Sequence, residues 1–274
     1  MKISSTALLS LSAIGAGLAV ASSAQAAGFV NGGFEAGNTS GWTSTTSVYR
    51  GSVLNSSLTP TWILGRPDAG DRSAIVTTSY VDPNVGAALG SAVYSGNNAF
   101  RVEDTVSGGY ASMIQQRVDN YTDANIFFAW KSVLEGAHGR TDAATMIITL
   151  TDLTSGLELI RREYNAASSG GGVDSRFSFV NNHFYTPNWQ IEQLAIDSSL
   201  SGHNFLLSVI AADCQPTGHE GYVFLDGFGA VTPPPIDPGT SVPEPSTWAM
   251  MLAGFGLLGA SMRRKQTARV RFAF

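Results

Sequence analysis

Between Ala27 and Val231 no stretch sustains a helical apolar period for more than a turn or two, and this decides the fold class. What recurs is the short run rich in β-branched and aromatic residues: Ala74–Val81, Ala99–Val102, Ser112–Val118, Asn125–Lys131, Ala143–Thr151, Leu157–Glu163, His203–Ile210 and Gly221–Asp226. Clusters such as Asn97-Asn98, Ser107-Gly108-Gly109 and Ser168 to Gly172 separate the runs, as turns do. Roughly ten strands with turn signals between them predict an all-β sandwich or barrel. The single cysteine, Cys214, rules out an intramolecular disulfide. Roughly 200 residues must therefore be held by a hydrophobic core, and a chain of that length can build one. The thiol follows an apolar run and stands beside Asp213, a neighbour that raises a thiol pKa instead of activating it.

Both ends of the chain read as addresses. Lys2 is a thin positive start, Ala7 to Val20 is a nearly unbroken apolar run, and Ala24-Gln25-Ala26 has the small-x-small form that signal peptidase accepts. Residues 1–26 are expected to be removed, leaving a β-sandwich domain at 27–231. Residues 232–242, with Pro233-Pro234-Pro235 and Pro238-Gly239, form a stiff tether. Beyond it, Ser246 to Met262 is uncharged and about 17 residues long, the low end of what crosses a bilayer. Arg263-Arg264-Lys265 follows and stays cytoplasmic under the positive-inside bias, with a basic tail at 266–274.

The formal net charge of −5 conceals a segregation. Acidic residues outnumber basic ones by about two to one between Ala27 and Val242, and the surplus of Arg lies behind the apolar helix. An acidic body with scattered basic residues argues against nucleic acid as a partner, because phosphate contacts need clustered Lys and Arg.

Val242-Pro243-Glu244-Pro245, the short apolar helix behind it and Arg263-Arg264 together resemble the PEP-CTERM sorting signal of Gram-negative bacteria, spanning 243–265 here. The resemblance implies an exosortase as partner, transient residence in the inner membrane, and then a place at the cell surface or outside the cell. The tail Gln266–Phe274 is longer than that family usually carries.

The body carries a second resemblance. Asn31-Gly32-Gly33-Phe34-Glu35 with Ser40-Gly41-Trp42, the Gln-containing run Ser112–Val118, the aromatic run Asn125–Lys131, Trp189-Gln190-Ile191 and the closing Tyr222–Asp226 resemble the galactose-binding-like jelly rolls of carbohydrate-binding modules. Residues 52–94 exceed what that family needs and read as an insertion. The resemblance implies a jelly-roll β-sandwich in which an opening Glu35 and a closing Asp226 meet and hold a structural Ca²⁺, an ion that takes hard oxygen ligands. It places Trp42 and Trp189 in the core, and the alternation Ile126, Phe128, Trp130 puts Trp130 there too.

No catalytic constellation emerges. His138, His183, His203 and His219 are dispersed, with no His-Glu-x-x-His pattern, and neither a nucleophile elbow nor a phosphate-binding loop occurs. The group Asp213, His219, Glu220 reads as an ordinary loop. Trp62 and Tyr110 lie in turn-rich stretches and are the candidate sugar platforms, since large exposed aromatics mark interaction surfaces. The expected function is non-enzymatic association with extracellular polysaccharide or biofilm matrix. The alternatives are a structural or adhesive protein without a glycan site, and a polysaccharide hydrolase.

Overall fold

The computed structural model describes residues 28–44, 47–167, 171–216 and 218–229. The expected signal peptide, tether, sorting helix and basic tail lie outside these residues. Among the described residues no helix is long and apolar enough to cross a membrane.

The strands, in chain order, are β1 (Thr43–Ser44), β2 (Val48–Tyr49), β3 (Ala74–Thr77), β4 (Asn98–Val102), β5 (Tyr110–Tyr121), β6 (Asn125–Glu135) and β7 (Thr145–Asp152). They continue as β8 (Leu157–Asn165), β9 (Ser178–Val180), β10 (His183–Tyr185), β11 (Gln190–Ala195), β12 (His203–Ala212) and β13 (Gly221–Asp226). One short helix, α1 (Pro60–Leu64), is capped by the Thr59 hydroxyl, which accepts the Trp62 N–H. The first sheet runs β1-β5-β12-β7-β8, with β2 also on β5; the second runs β3-β4-β13-β6-β10-β9, with β11 also on β6. Every pairing is antiparallel. This is one of the two all-β forms, sandwich or barrel, that the strand count predicts: a β-sandwich, of the jelly-roll kind that the resemblance implies.

Alternation along the strands sends Ile114, Val118, Phe205, Leu207, Val209, Met146, Ile148 and Leu150 from the first sheet into one core. Phe100, Val102, Phe128, Trp130, Val223 and Leu225 meet them from the second sheet. Trp42 and Trp130 are both in that core, as expected. Phe228 seals one end, with its ring centroid 4.6 Å from those of Phe128 and Trp42.

The outer faces are buried as well, and the long segment 52–94 is the reason. Its first part lays Leu58 and Ile63 on the outside of the first sheet, against Ala111, Met113, Ile147 and Ile210. Its middle becomes the edge strand β3, and its last part lays Val85, Leu89 and Val93 over Tyr222, Phe224 and Val133 of the second sheet. Buried polar contacts pin both covers. Arg161 donates to the carbonyls of Asn55 and Leu58, the Tyr222 hydroxyl donates to Asp82, and the Lys131 ammonium donates to the Leu89 carbonyl. Burial lowers that ammonium's pKa to about 8. Strand β13 is thus fully buried on both faces, so it reads as a continuous apolar run and not as an alternating one.

The opening Asn31–Glu35 is a set of turns, with Asn31 and Phe34 in the left-handed region at φ 52° and 56°. It reaches the far end of the body, because the Gly32 carbonyl accepts the Phe228 N–H. Two expectations change. The run Ala74–Val81 stops pairing at Thr77 and turns, with Tyr80 N–H on the Thr77 carbonyl. Trp189 lies half-buried on the outer face of the second sheet, packed on the cover and donating to the Ser91 carbonyl, and not between the sheets.

Candidate functional site

The turn Tyr94–Asn98 joins the two ends of the body. Glu35 accepts the N–H groups of Asn97 and Asn98, while Asp226 Oδ2 accepts those of Tyr94 and Ser95. Asp226 is fully buried, and its Oδ1 makes no hydrogen bond. Burial, with the nearby Glu35 charge adding to it, raises the carboxyl to about 7 against the hydrogen bonds from Ser95 and Tyr94. A Cβ on Gly33 would stand 3.5 Å from that Oδ1, so the opening turn closes directly over it. Of the four carboxylate oxygens of this pair, Asp226 Oδ1 is the one left for a hard cation, because the turn's amides occupy the other three.

A second locality lies around β2. Tyr49 is 55% exposed and forms a shallow cleft of about 330 Å³ with Arg66, Pro67, Asp68 and Ala69. The two aromatics singled out from the sequence flank it. Trp62 packs partly on the cover of the first sheet, with the Arg66 guanidinium 4.7 Å from its ring centroid. Tyr110 is the first residue of β5, edge-on to Tyr49 at 5.7 Å, and carries the Arg72 guanidinium over its face at 3.6 Å. Strand β2 pairs with β5 through Val48 and Tyr49, which sets Tyr49 opposite Tyr110, and the bridge from Val48 to Asp68 brings in the 66–69 segment. Sequence reasoning missed Tyr49, whose two-residue strand is too short to show a period. A second cleft, of about 310 Å³ and lined by Asn38, Thr39, Ser44, Asp71, Ser73 and Ile75, shares that same segment's continuation as its wall.

The acidic groups have structural partners. Glu103 accepts the hydroxyls of Ser47 and Ser112, and burial raises its pKa. Asp213 accepts the N–H groups of Tyr110 and Gly221 and is raised well above the usual range by burial, with Glu103 adding. His183 Nε2 lies 3.0 Å from Glu220 Oε1, and its Nδ1 lies 2.6 Å from the Asn181 carbonyl. Burial and a hydrogen bond to Glu220 push the Glu135 carboxyl up. Burial opposes charge on Glu220 too, but the hydrogen bonds from His183 and Glu135 outweigh it and hold Glu220 low. One oxygen of each of these two carboxyls and one His183 nitrogen lie within 4.8 Å of one another, so the pair is tied into the framework through the imidazole. Burial, with Asp213 adding, pushes the Cys214 thiol up, the direction expected from the sequence. The histidines, dispersed in sequence, each have a partner in space: His203 meets Asp152, His183 meets Glu220, and only His138 and His219 meet each other, beside Cys214.

Residues 241–265 match the PEP-CTERM protein-sorting motif, which marks an exported protein. The chain matches no curated protein at a significant level of sequence similarity. Its structural neighbours include the carbohydrate-binding module TmCBM61 in complex with β-1,4-galactotriose, 12% identical with a TM-score of 0.38, covering 73% of this chain and 94% of that one. Another is CBM28, a non-crystalline cellulose specific module, 14% identical with a TM-score of 0.35 and covering 73% and 92%. The K1 cleaved adhesin domain of Lys-gingipain from Porphyromonas gingivalis W83 is a third, 10% identical with a TM-score of 0.33 and covering 71% and 92%.

Proposed function

We propose that this chain is an exported, non-catalytic glycan-binding protein, released from its signal peptide by signal peptidase and processed at its tail by an exosortase. On this reading it passes through the inner membrane and reaches the cell surface or the surrounding matrix, where it associates with extracellular polysaccharide. The observation that carries the glycan reading is the cleft at Tyr49. An exposed aromatic face stands beside the guanidinium of Arg66 and the carboxylate of Asp68, the combination that stacks on a pyranose ring and catches its hydroxyls. Trp62 and Tyr110 support it from either side, each held by an arginine. A second, polar cleft at Ser44 and Ser73, walled by the continuation of the 66–69 segment, supports an oligosaccharide over a single sugar. Non-catalytic binding is supported by the engagement of Glu103, Asp213 and Glu220 in the framework. A structural calcium at Glu35 and Asp226 belongs to the same proposal and is supported by the bond-free Asp226 Oδ1.

Affinity electrophoresis in the producer's own polysaccharide, backed by a glycan array, tests the reading. The wild-type protein is expected to be retarded, and Tyr49→Ala to migrate freely while melting at the wild-type temperature. Equal migration of both proteins through every glycan, with and without calcium, would leave a structural or adhesive role in its place. Sugar release from the polysaccharide would instead mark a hydrolase.

A further inference from the structure

Two loops at the far end of β13 from Asp226 bring together the chain's only thiol and two of its four imidazoles. The β6–β7 loop carries His138, and the β12–β13 loop carries Cys214 and His219. His138 Nε2 lies 3.1 Å from His219 Nδ1, and Cys214 Sγ lies 3.3 Å from that same nitrogen. All three ligand atoms fall within 4.8 Å of one another. An imidazole nitrogen has either one in-plane lone pair or one N–H, so His219 Nδ1 cannot serve both neighbours well. Two imidazole nitrogens and a sulfur that converge on one point are better satisfied by an ion between them. Zinc binds Cys sulfur at ~2.3 Å and His nitrogen at ~2.0–2.1 Å, which sets tetrahedral neighbours roughly 3.3–3.6 Å apart. The two spacings to His219 Nδ1, 3.1 and 3.3 Å, are already close to that, and the third pair lies within 4.8 Å.

The loops are fixed by contacts that leave the three ligand atoms facing one another. The Cys214 N–H donates to the His219 carbonyl at 2.9 Å, closing the second loop on itself. The Gln215 N–H donates to the Asp142 carbonyl at 2.7 Å, tying it to the first loop. The buried Arg50 guanidinium donates to the carbonyls of Ala143 and Asp213, one beside each loop. Such a framework limits the ordering that a ligand must impose. Cys214 is buried, whereas His219 is half-buried, so access is from the imidazole side.

We propose that His138, Cys214 and His219 form a transition-metal site that takes a zinc-class divalent ion. Three protein ligands leave one coordination position for water. On binding, the Cys214 S–H bond breaks, its proton goes to solvent, and the sulfur lone pair forms the bond to the metal, with no change of oxidation state. A thiolate with two imidazoles selects against calcium and magnesium, which take oxygen. The site is separate from the Glu35–Asp226 turn, since the six residues of β13 between them span roughly 17 Å.

The test uses the full-length protein without a polyhistidine tag, purified in detergent, stripped with a strong chelator and titrated with Co²⁺ and then Zn²⁺. One equivalent of Co²⁺ per chain is expected, with a thiolate-to-cobalt charge-transfer band that Zn²⁺ abolishes by displacement. Cys214→Ser should lose the band. His138→Gln should keep the wild-type circular dichroism and metal-free melting temperature, yet bind Zn²⁺ at least about tenfold more weakly, because even residues that merely orient a ligand cost that much. This second variant keeps the test decisive should the buried Cys214→Ser disturb folding. Absence of the band in the wild-type protein, or equal Zn²⁺ affinity in wild type and His138→Gln, would overturn the proposal.

Discussion

Glu35 and Asp226, from opposite ends of the described chain, grip the same turn: one carboxylate takes the amides of Asn97 and Asn98, the other those of Tyr94 and Ser95. Four backbone dipoles of one turn thus aim at two carboxylates. The arrangement leaves Asp226 Oδ1 buried and without a hydrogen bond, a costly state for a carboxylate oxygen. The turn, the opening segment and the end of β13 are joined there without a disulfide.

A cation at Oδ1 binds only the folded state, so calcium is expected to stabilise the protein by mass action. At about a hundred times the dissociation constant the gain is about 2.7 kcal/mol. Thermal melts with calcium and with a calcium-selective chelator should differ for the wild type and coincide for Asp226→Asn. Wild-type melts that coincide under both treatments would remove calcium from the description and leave the amides of the turn as the link between the two carboxylates.

The aromatic cap at the same end makes a second expectation. Phe228 stacks on Phe128 at 11° and meets Trp42 edge-on, and its backbone is bonded to Gly32. Truncating it leaves a cavity that rings cannot collapse to fill. Phe228→Ala should lose about 3–5 kcal/mol in chemical denaturation. A loss below about 1 kcal/mol would mean that the cap packs loosely.

Acid stability should depend on the β7–β8 turn. Burial disfavours charge on Asp152, but hydrogen bonds from the Ser155 hydroxyl, His203 and the Thr154 N–H outweigh it and hold its pKa at about 2, below the usual 3.8. A carboxyl lowered in the folded state binds fewer protons there than in the unfolded chain, so its stabilisation is complete above 3.8 and is lost as pH falls through 2. Melting temperature should therefore drop from pH 4 towards pH 2, and Asp152→Asn should flatten that limb while lowering stability at neutral pH. An acid limb unchanged in Asp152→Asn would place the proton uptake elsewhere.

The strands that carry the core were legible because each holds enough apolar or β-branched residues to show itself; β5, β7, β12 and β13 all begin within two residues of the expected runs. The motifs at the two ends of the body pointed to Glu35 and Asp226 as a pair, but not to the turn Tyr94–Asn98 whose amides both carboxylates accept. What stayed hidden depends on pairing across long separations. The two-residue β2 exists because Val48 and Tyr49 lie opposite Ala111 and Tyr110, so the exposed Tyr49 ring and the cleft beside it leave no local period. The covers at 53–64 and 80–93 hide for a related reason: each buries a few residues, such as Leu58, Ile63 and Leu89, against strands far away in sequence. The approach of His138 to Cys214 and His219 is of the same kind, set by loops closing at one end of the sandwich.

Processing is the remaining expectation, and it follows from order along the chain. Pro243-Glu244-Pro245 directly precedes an uncharged run and then Arg263-Arg264-Lys265, within the segment that matches the sorting motif. An uncharged apolar run is expected to stop transfer and the arginines behind it to orient it, and neither expectation involves the Pro-Glu-Pro in front. Deleting residues 243–245 while keeping the apolar run and the arginines therefore separates sorting from anchoring. The wild-type protein should lose everything beyond about Pro245 and appear outside the cell or on its surface. The deletion variant should insert normally and accumulate as uncleaved precursor in the inner membrane fraction. Surface delivery of that variant at the wild-type level, with its tail intact by mass spectrometry, would show that the tail serves only as an anchor.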